Sequence, residues 1–296
     1  MVETILVTGA TGTVGNEVVN QLSGVIADIN IKAALHSQNK VEKFNQIDDK
    51  RLNFVDLDYA EPKTIADAFN NIDKLFLLTL PGPNMVNISS SLVKEAKKYN
   101  VKYIVKLSVM NADAESGYVL GRLHRQEEII IEKSGIPYTF LRPTTFMQNF
   151  VNYFGRTIKS QNAFYIHSGD VKVGFVDVRD LAAIAVELLT NEGSEHKNKA
   201  YGITGKEALS YNQAAGIISK VIGRKISYLD ISEEEAREGM KEMGMNDWLI
   251  DVIVDGFNYI ISGKYGSQTT NVIEKVTGRK PISFEQFVRD YASSFR

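Results

Sequence analysis

Cysteine is absent from this 296-residue chain, which excludes disulfides, thiolate nucleophiles and zinc–sulfur centres. Histidine is scarce. His36, His124, His167 and His196 are the four present, and none stands at metal-ligand spacing from another, so no metal site is expected. Neither sign of charge is in surplus: 34 Lys and Arg against 36 Asp and Glu give a net charge of -2. No basic field therefore invites nucleic acid or an anionic membrane. No apolar run approaches the roughly 18 residues of a membrane helix. The N-terminus enters a strand pattern at once, with Glu3 near its start, so neither a span nor a signal peptide is expected and the cytoplasm is the expected compartment. Internal repeats, low-complexity tracts and linkers are also missing. What is present, 44% hydrophobic and 24% charged residues, suits one large α/β unit or a nucleotide domain with a further lobe.

Residues 3–15 read E-T-I-L-V-T-G-A-T-G-T-V-G. Ile5, Leu6 and Val7 are a buried-strand run that stops at Gly9, Gly12 and Gly15, after which Val14, Val18, Val19 and Leu22 fall at helical spacing. A dinucleotide site needs one glycine for the tight turn, one for close approach of the pyrophosphate and one for helix–strand contact. The phosphates then meet the free N–H groups of the helix. The spacing here is G-x-x-G-x-x-G, and Thr8, Thr11 and Thr13 add hydroxyls.

Strand and helix patterns then alternate. Strands are expected at 30–35, 52–55, 74–80, 101–108 and 138–143, with helices at 62–69, 85–99 and 119–134. This rhythm specifies a doubly wound parallel sheet of Rossmann type, whose ligands sit beyond the carboxyl ends of the strands. Asp58 and Ser108 lie at such ends. At the end of the second strand, where an acid would bind the ribose 2′-hydroxyl of NAD, the chain has His36 and Ser37, followed by Lys40. That favours NADP, with NAD left open.

The alternation breaks at 144–160, an aromatic-rich stretch of helical tendency in which most side chains are expected to be interior. The chain returns at 171–180, a helix to residue 189 and a strand at 199–204, and from about residue 205 it turns helix-rich, with a short strand near 226–229. Ser232 with Glu235 is a capping box. Met240, Met243, Met245, Trp248 and Phe257 are core candidates that also suit the wall of an apolar pocket. The expected division is 1–143 plus about 170–204 as the nucleotide domain, with 144–169 and 205–296 as a smaller, mostly helical substrate lobe.

Four segments in this order, G-A-T-G-T-V-G at 9–15, G-I-P-Y-T-F-L-R-P at 135–143, F-M-Q-N-F at 146–150 and V-D-V-R-D-L-A at 176–182, resemble the NmrA-like, atypical short-chain dehydrogenase/reductase family. Within it the chain is most similar to the bacterial NADPH:quinone oxidoreductase type 2 and triphenylmethane reductase branch. The resemblance implies cofactor contacts at Gly9, Ala10, Thr11, Gly12, Thr13 and Val14, at Thr79, Leu80 and Pro81, and at Thr144, Thr145, Phe146, Met147, Gln148 and Asn149, with Arg179 reaching the site. The branch usually carries an arginine for the 2′-phosphate where this chain has His36.

The superfamily's Tyr-x-x-x-Lys pair, in which lysine lowers the tyrosine pKa, is missing: Tyr118 is followed by Arg122. The resemblance instead places His124 where isoflavone-type reductases carry lysine. Glu128, four residues on and on the same helical face, is expected to orient the imidazole and favour its protonated form. The leading expectation is an NADPH-dependent reductase acting on a small acceptor, a quinone or similar flat conjugated molecule. Its rival is a non-catalytic NAD(P) sensor of the regulator type, and a sugar-nucleotide epimerase is a weaker third reading. No nucleic-acid or membrane partner is expected, and a homo-oligomer is compatible with the sequence.

Overall fold

The computed structural model describes residues 2–36, 38–113, 117–191, 193–264 and 266–296, with backbone alone over 38–40. Ser37 lies outside the described residues, and so does the side chain of Lys40.

The apolar runs read from the sequence become strands β1 (Glu3–Val7), β2 (Ile29–Leu35), β3 (Leu52–Asp56), β4 (Lys74–Leu77), β5 (Tyr103–Leu107) and β6 (Tyr138–Pro143). Between them run helices α1 (Thr13–Gly24), α2 (Pro62–Phe69), α3 (Met85–Lys98) and α4 (Val119–Ser134). Pro62 opens α2 because its fixed φ suits a first turn and its missing N–H has no intrahelical partner to lose. The remaining elements are α5 (Asn149–Asn152), α6 (Gly155–Gln161), β7 (Ala163–Ile166), α7 (Val178–Thr190), β8 (Lys199–Ile203), α8 (Tyr211–Ile222), β9 (Ser227–Asp230), α9 (Glu233–Glu242), α10 (Asp247–Tyr259), α11 (Val272–Thr277) and α12 (Phe284–Asp290).

The main sheet has seven strands in the order β3-β2-β1-β4-β5-β6-β8. Pairings are parallel from β3 through β6, with Ile5 opposite Ile31 and Leu6 opposite Leu75. The order reverses between β1 and β4, so the carboxyl ends of those two strands form the switch point where open α/β sheets bind ligands.

Two compact units divide the chain. The first comprises 1–108, 123–142 and 181–201, and the second 109–122, 143–180 and 202–296. In the first, Leu75 and Leu77 of β4, Ile104 of β5 and Phe140 of β6 are buried with Phe69 of α2, Leu92 of α3 and Ile131 of α4.

The second unit is organised around Phe150, which is 1% exposed. Its ring meets those of Phe154, Phe164, Phe175, Tyr211 and Phe284 at centroid distances of 4.9–5.7 Å. The aromatics of 144–160 are thus largely interior, as their spacing implied, although Tyr153 is 49% exposed. The stretch is not one helix. It is interrupted between α5 and α6, where a Cβ on Gly155 would come 3.3 Å from the Ser294 carbonyl oxygen. The sequence reading had no counterpart to β7, which pairs in parallel with β9 in a separate two-stranded sheet. The Ser232/Glu235 capping box opens α9. Met240 joins a small core with Ala236, Ile250 and Val254, flanked by Met245 and Phe257, whereas Met243 is 56% exposed.

Phe150→Ala should leave a cavity too large to collapse and lower unfolding free energy by about 3–5 kcal/mol. Chemical denaturation of variant and wild type checks this.

Candidate functional site

At the switch point the turn after β1 is built almost wholly from backbone. Gly9 adopts φ +63°, and a Cβ on it would come 2.6 Å from a methyl of Leu78. The Gly12 N–H donates to the Gly9 carbonyl at 3.0 Å. A Cβ on Gly15 would stand 2.2 Å from that same carbonyl oxygen, so only glycine lets α1 begin this close to β1. Gly12, at the N-cap, has no side chain to cap the helix, and the first turn holds no acid. The first-turn amides of α1 therefore lack intrahelical and side-chain partners and carry the positive end of its dipole. Thr13 is exposed and Thr11 half-buried, while Ala10 and Val14 belong to the core.

Thr8, read as a source of hydroxyls for a ligand, is instead spent inside the sheet. Its Oγ1 donates to the Leu78 carbonyl at 2.9 Å and accepts from the Leu78 N–H at 2.8 Å, fixing the end of β1 to the end of β4. Lys43 was not singled out from the sequence. Its Nζ donates to the Thr11 carbonyl at 2.8 Å, which puts a cation beside the glycine turn.

The ends of β2 and β3 bring His36 and Asp58 together, with Nδ1 and Oδ1 3.9 Å apart and both side chains accessible. Beyond β4, Leu80 and Pro81 are exposed and Thr79 is buried.

Thr79 belongs to a buried polar cluster of the first unit. Its hydroxyl donates to Glu127 Oε1 at 2.5 Å. Glu127 Oε2 stands 3.0 Å from Lys106 Nζ and 3.0 Å from His124 Nδ1. Lys106 Nζ also donates to the Leu107 carbonyl at 2.6 Å and lies 3.4 Å from Thr79 Oγ1. Lys106 and Glu127 are wholly buried and His124 is 7% exposed.

This corrects the expected pairing. The carboxylate beside His124 is Glu127, three residues on. Glu128, also on the buried side of α4, is taken by other partners: Arg142 at 2.9 and 2.5 Å, Arg125 at 3.1 Å and the Ser108 hydroxyl at 2.7 Å. The expected upward pull of Glu128 on the imidazole is outweighed as well. Burial, then the neighbouring Lys106 cation, push the His124 pKa below its ordinary value despite the pull of Glu127. Burial pushes Glu127 up, but Lys106, His124 and Thr79 together outweigh it and hold the carboxyl at about 2. Sequence reasoning passed over both partners, yet a signal existed. Lys106 shares the strand face of Ile104, and a lysine on a buried face demands an acid.

In the second unit, 144–149 is stitched to the strand-like stretch before α7. Thr144 donates through Oγ1 to the Gly174 carbonyl at 2.5 Å, and the Met147 N–H donates to the Val176 carbonyl at 2.9 Å. Gln148 uses both ends of its amide, donating to Asp177 Oδ1 at 2.9 Å and accepting from the Val178 N–H at 3.0 Å. Of the six residues implied there, Thr144, Met147 and Gln148 are buried, while Thr145, Phe146 and Asn149 keep accessible surface.

Arg179, implied as a cofactor contact, is committed elsewhere. It pairs with Asp177 through Nε at 3.0 Å and Nη2 at 2.7 Å, and with Asp290 through Nη1 at 2.7 Å, 5.4 Å from the centre of the Tyr291 ring. The Tyr118 hydroxyl donates to the Met110 carbonyl at 2.5 Å and its ring stacks on Tyr259, so the tyrosine ahead of Arg122 is engaged within its own unit. Among the described residues there is no His, Asp or Glu cluster fit for a metal, and no helix long and apolar enough to cross a membrane.

Residues 1–285 match the NmrA-like family. The chain belongs to that family. It is 33% identical over 291 residues to the NAD(P)H azoreductase of Xenophilus azovorans, covering 98% of this chain and 99% of the relative. Quinone oxidoreductase 2 of Escherichia coli is 26% identical over 256 residues, covering 85% of this chain and 86% of that one. Among solved structures, the triphenylmethane reductase of Citrobacter sp. complexed with NADP(H) superposes with a TM-score of 0.82 at 27% identity, covering 98% and 99% of the two chains. Its NmrA-like relatives thus include reductases named for azo, quinone and dye acceptors.

Two outcomes follow from this geometry. Gly15→Ala should cost about 1–3 kcal/mol in overpacking and weaken dinucleotide binding. Gly24→Ala, in the same helix with nothing within 4 Å of its Cβ, should do neither. Urea unfolding and a fluorescence titration with NADPH measure both.

Asp180 gives a pH-dependent test. Burial raises its pKa from 3.8 to about 6, against the pull of the Ile282 N–H. A raised carboxyl contributes stability that is full below 3.8 and lost as pH rises through about 6. The stability of Asp180→Asn relative to wild type should therefore climb between about pH 4 and 6, by up to about 3 kcal/mol, and then level off.

Proposed function

We propose that the chain is an NAD(P)H-dependent reductase that delivers hydride to a quinone, azo dye or similar flat conjugated acceptor. The observation that carries this reading is the glycine turn: a cradle a Cβ would fill, at the switch point, facing uncapped helix amides with no acid among them. Those features fit a dinucleotide pyrophosphate, and the acceptor class follows the activities in the names of the relatives.

When bound, the nicotinamide supplies the hydride. The chain's own residues hold and orient it. Gly9, Gly12 and Gly15 bring backbone N–H groups to the phosphates. His36 and Asp58 lie where the adenosine ribose is expected, and no acid follows β2 directly, which favours NADP. A quinone takes hydride to give a delocalised anion, so positioning and charge stabilisation suffice and water can supply the proton. His124 steers that proton. With the Tyr118 hydroxyl bonded to Met110, the acid–base pair that alcohol oxidation demands is missing.

The rival reading, an NAD(P) sensor without turnover, draws on that same missing pair. Absorbance assays of NADPH and NADH against a panel of quinones and azo dyes separate the two. Turnover is expected with NADPH and at least one acceptor. Tight binding of oxidised and reduced cofactor without turnover would instead establish the sensor. His124→Ala should lower kcat about tenfold or more, with cofactor Kd unchanged.

A further inference from the structure

The hairpin of α9 and α10 stands apart within the second unit. It has a core of its own: Ala236 and Met240 of α9 are buried against Ile250 and Val254 of α10, and Phe257, near the end of α10, packs on both this cluster and the aromatic core around Phe150. Its polar groups also turn inward. Ser232 caps α9 with Glu235, Arg237 pairs with Glu233 at 2.9 Å and Asp251 at 2.7 Å, and Asn258 reaches back to Glu233 at 3.0 Å. Among the described residues, the side-chain hydrogen bonds and ion pairs of 232–258 leave the hairpin once. Asp255 Oδ2 accepts from the Val119 N–H at 2.6 Å.

Val119 is the first residue of α4, and the residue before it, Tyr118, sends its hydroxyl to the Met110 carbonyl. The helix therefore draws an acid from another element onto a first-turn amide, where a negative charge also suits its dipole. α4 follows β5. A helix after a parallel strand starts from that strand's carboxyl end, the side on which open α/β sheets take their ligands.

The base of the hairpin is held more firmly. One turn past Asp255, Tyr259 stacks on Tyr118 with ring centres 4.6 Å apart, and the Asn111 amide donates to the Lys264 carbonyl at 3.0 Å. Between these two anchors α10 passes into a π-helical turn, Ile260–Lys264, in which Gly263 takes φ +74°. At the other end, the Ile231 carbonyl lies 3.0 Å from His167 Nδ1. Irregular residues at the end of an element are where a hinge absorbs its change of angle.

We infer that this hairpin is a lid on the start of α4, latched by Asp255, and that it screens acceptors by size. Opening gives up one charge-assisted hydrogen bond and leaves the hairpin's own core and ion pairs intact, so the lid moves as a body. A small flat acceptor needs little opening, whereas a bulky one must wait for it. The size selection rests on the reductase reading; the latch does not.

The test is hydrogen–deuterium exchange of the full-length protein, read by mass spectrometry. Amides of 233–259 should exchange as one block, about tenfold or more faster than those of α8 and α12, which share the aromatic core. Asp255→Ala should speed that block about tenfold further and leave α8 and α12 unchanged, while Asp255→Asn, which keeps the accepting oxygen, should stay within about twofold of wild type. A hairpin that exchanges in step with α8 and α12, or an Asp255→Ala effect spread over the whole chain, would overturn the inference.

Turnover gives the second arm. For Asp255→Ala, kcat/KM for a triphenylmethane dye relative to that for benzoquinone should rise about fivefold or more over wild type, with the NADPH Kd unchanged. An unchanged ratio in a variant whose hairpin exchanges faster would overturn the size selection. Absence of all turnover would sink the reductase reading and the size selection with it, while hydrogen exchange still decides the latch.

Discussion

The close approach of α1 to β1, made through Gly15 against the Gly9 carbonyl, is the constraint on which the nucleotide end of this fold depends. A single methyl at Gly15 would overlap that oxygen at 2.2 Å, and the helix would have to back away. Because it does not, the amides of the first turn sit at the carboxyl end of β1, where the sheet order reverses. The Thr8 hydroxyl then ties this end to Leu78, the residue just past the neighbouring strand. Backbone geometry alone shapes this turn, and few side chains are needed to build it.

The two units use buried polarity differently. In the first, Lys106, Glu127 and His124 share one dry cluster in which burial, aided by the Lys106 cation, pushes the His124 pKa down, while Lys106 leads the partners that hold Glu127 low against burial. In the second, Asp177 is satisfied from several sides, by Gln148, the Arg179 guanidinium and the Arg179 N–H, while Asp180, in the first turn of α7, has its carboxyl pushed up to about 6. Shared partners hold the first acid as a hub, and desolvation dominates the second.

The parts legible in the sequence are those set locally. The glycine turn is backbone chemistry within 13 residues, and α2 and α4 begin and end where the pattern placed them because proline and amphipathic spacing act within a turn or two. The parts not legible depend on distant partners. The four residues of β7 form a strand only because β9 lies beside them, some sixty positions on. The break between α5 and α6 answers to the aromatic cluster at Phe150. On α4, Glu127 and Glu128 both turn inward, so helical spacing could not say which one meets His124. Arg142 of β6 takes one and Lys106 of β5 the other. Arg179 was assigned to a ligand because its pairing with Asp290, 111 residues away, leaves no trace in the motif.

Gln148 carries one more implication. Its primary amide offers a donor to Asp177 and an acceptor to the Val178 amide at once. It works as an adaptor between a carboxylate and the opening turn of α7. The 144–149 ribbon and that turn are therefore mechanically one piece, and a ligand that displaced the ribbon would pull on the helix in the same movement.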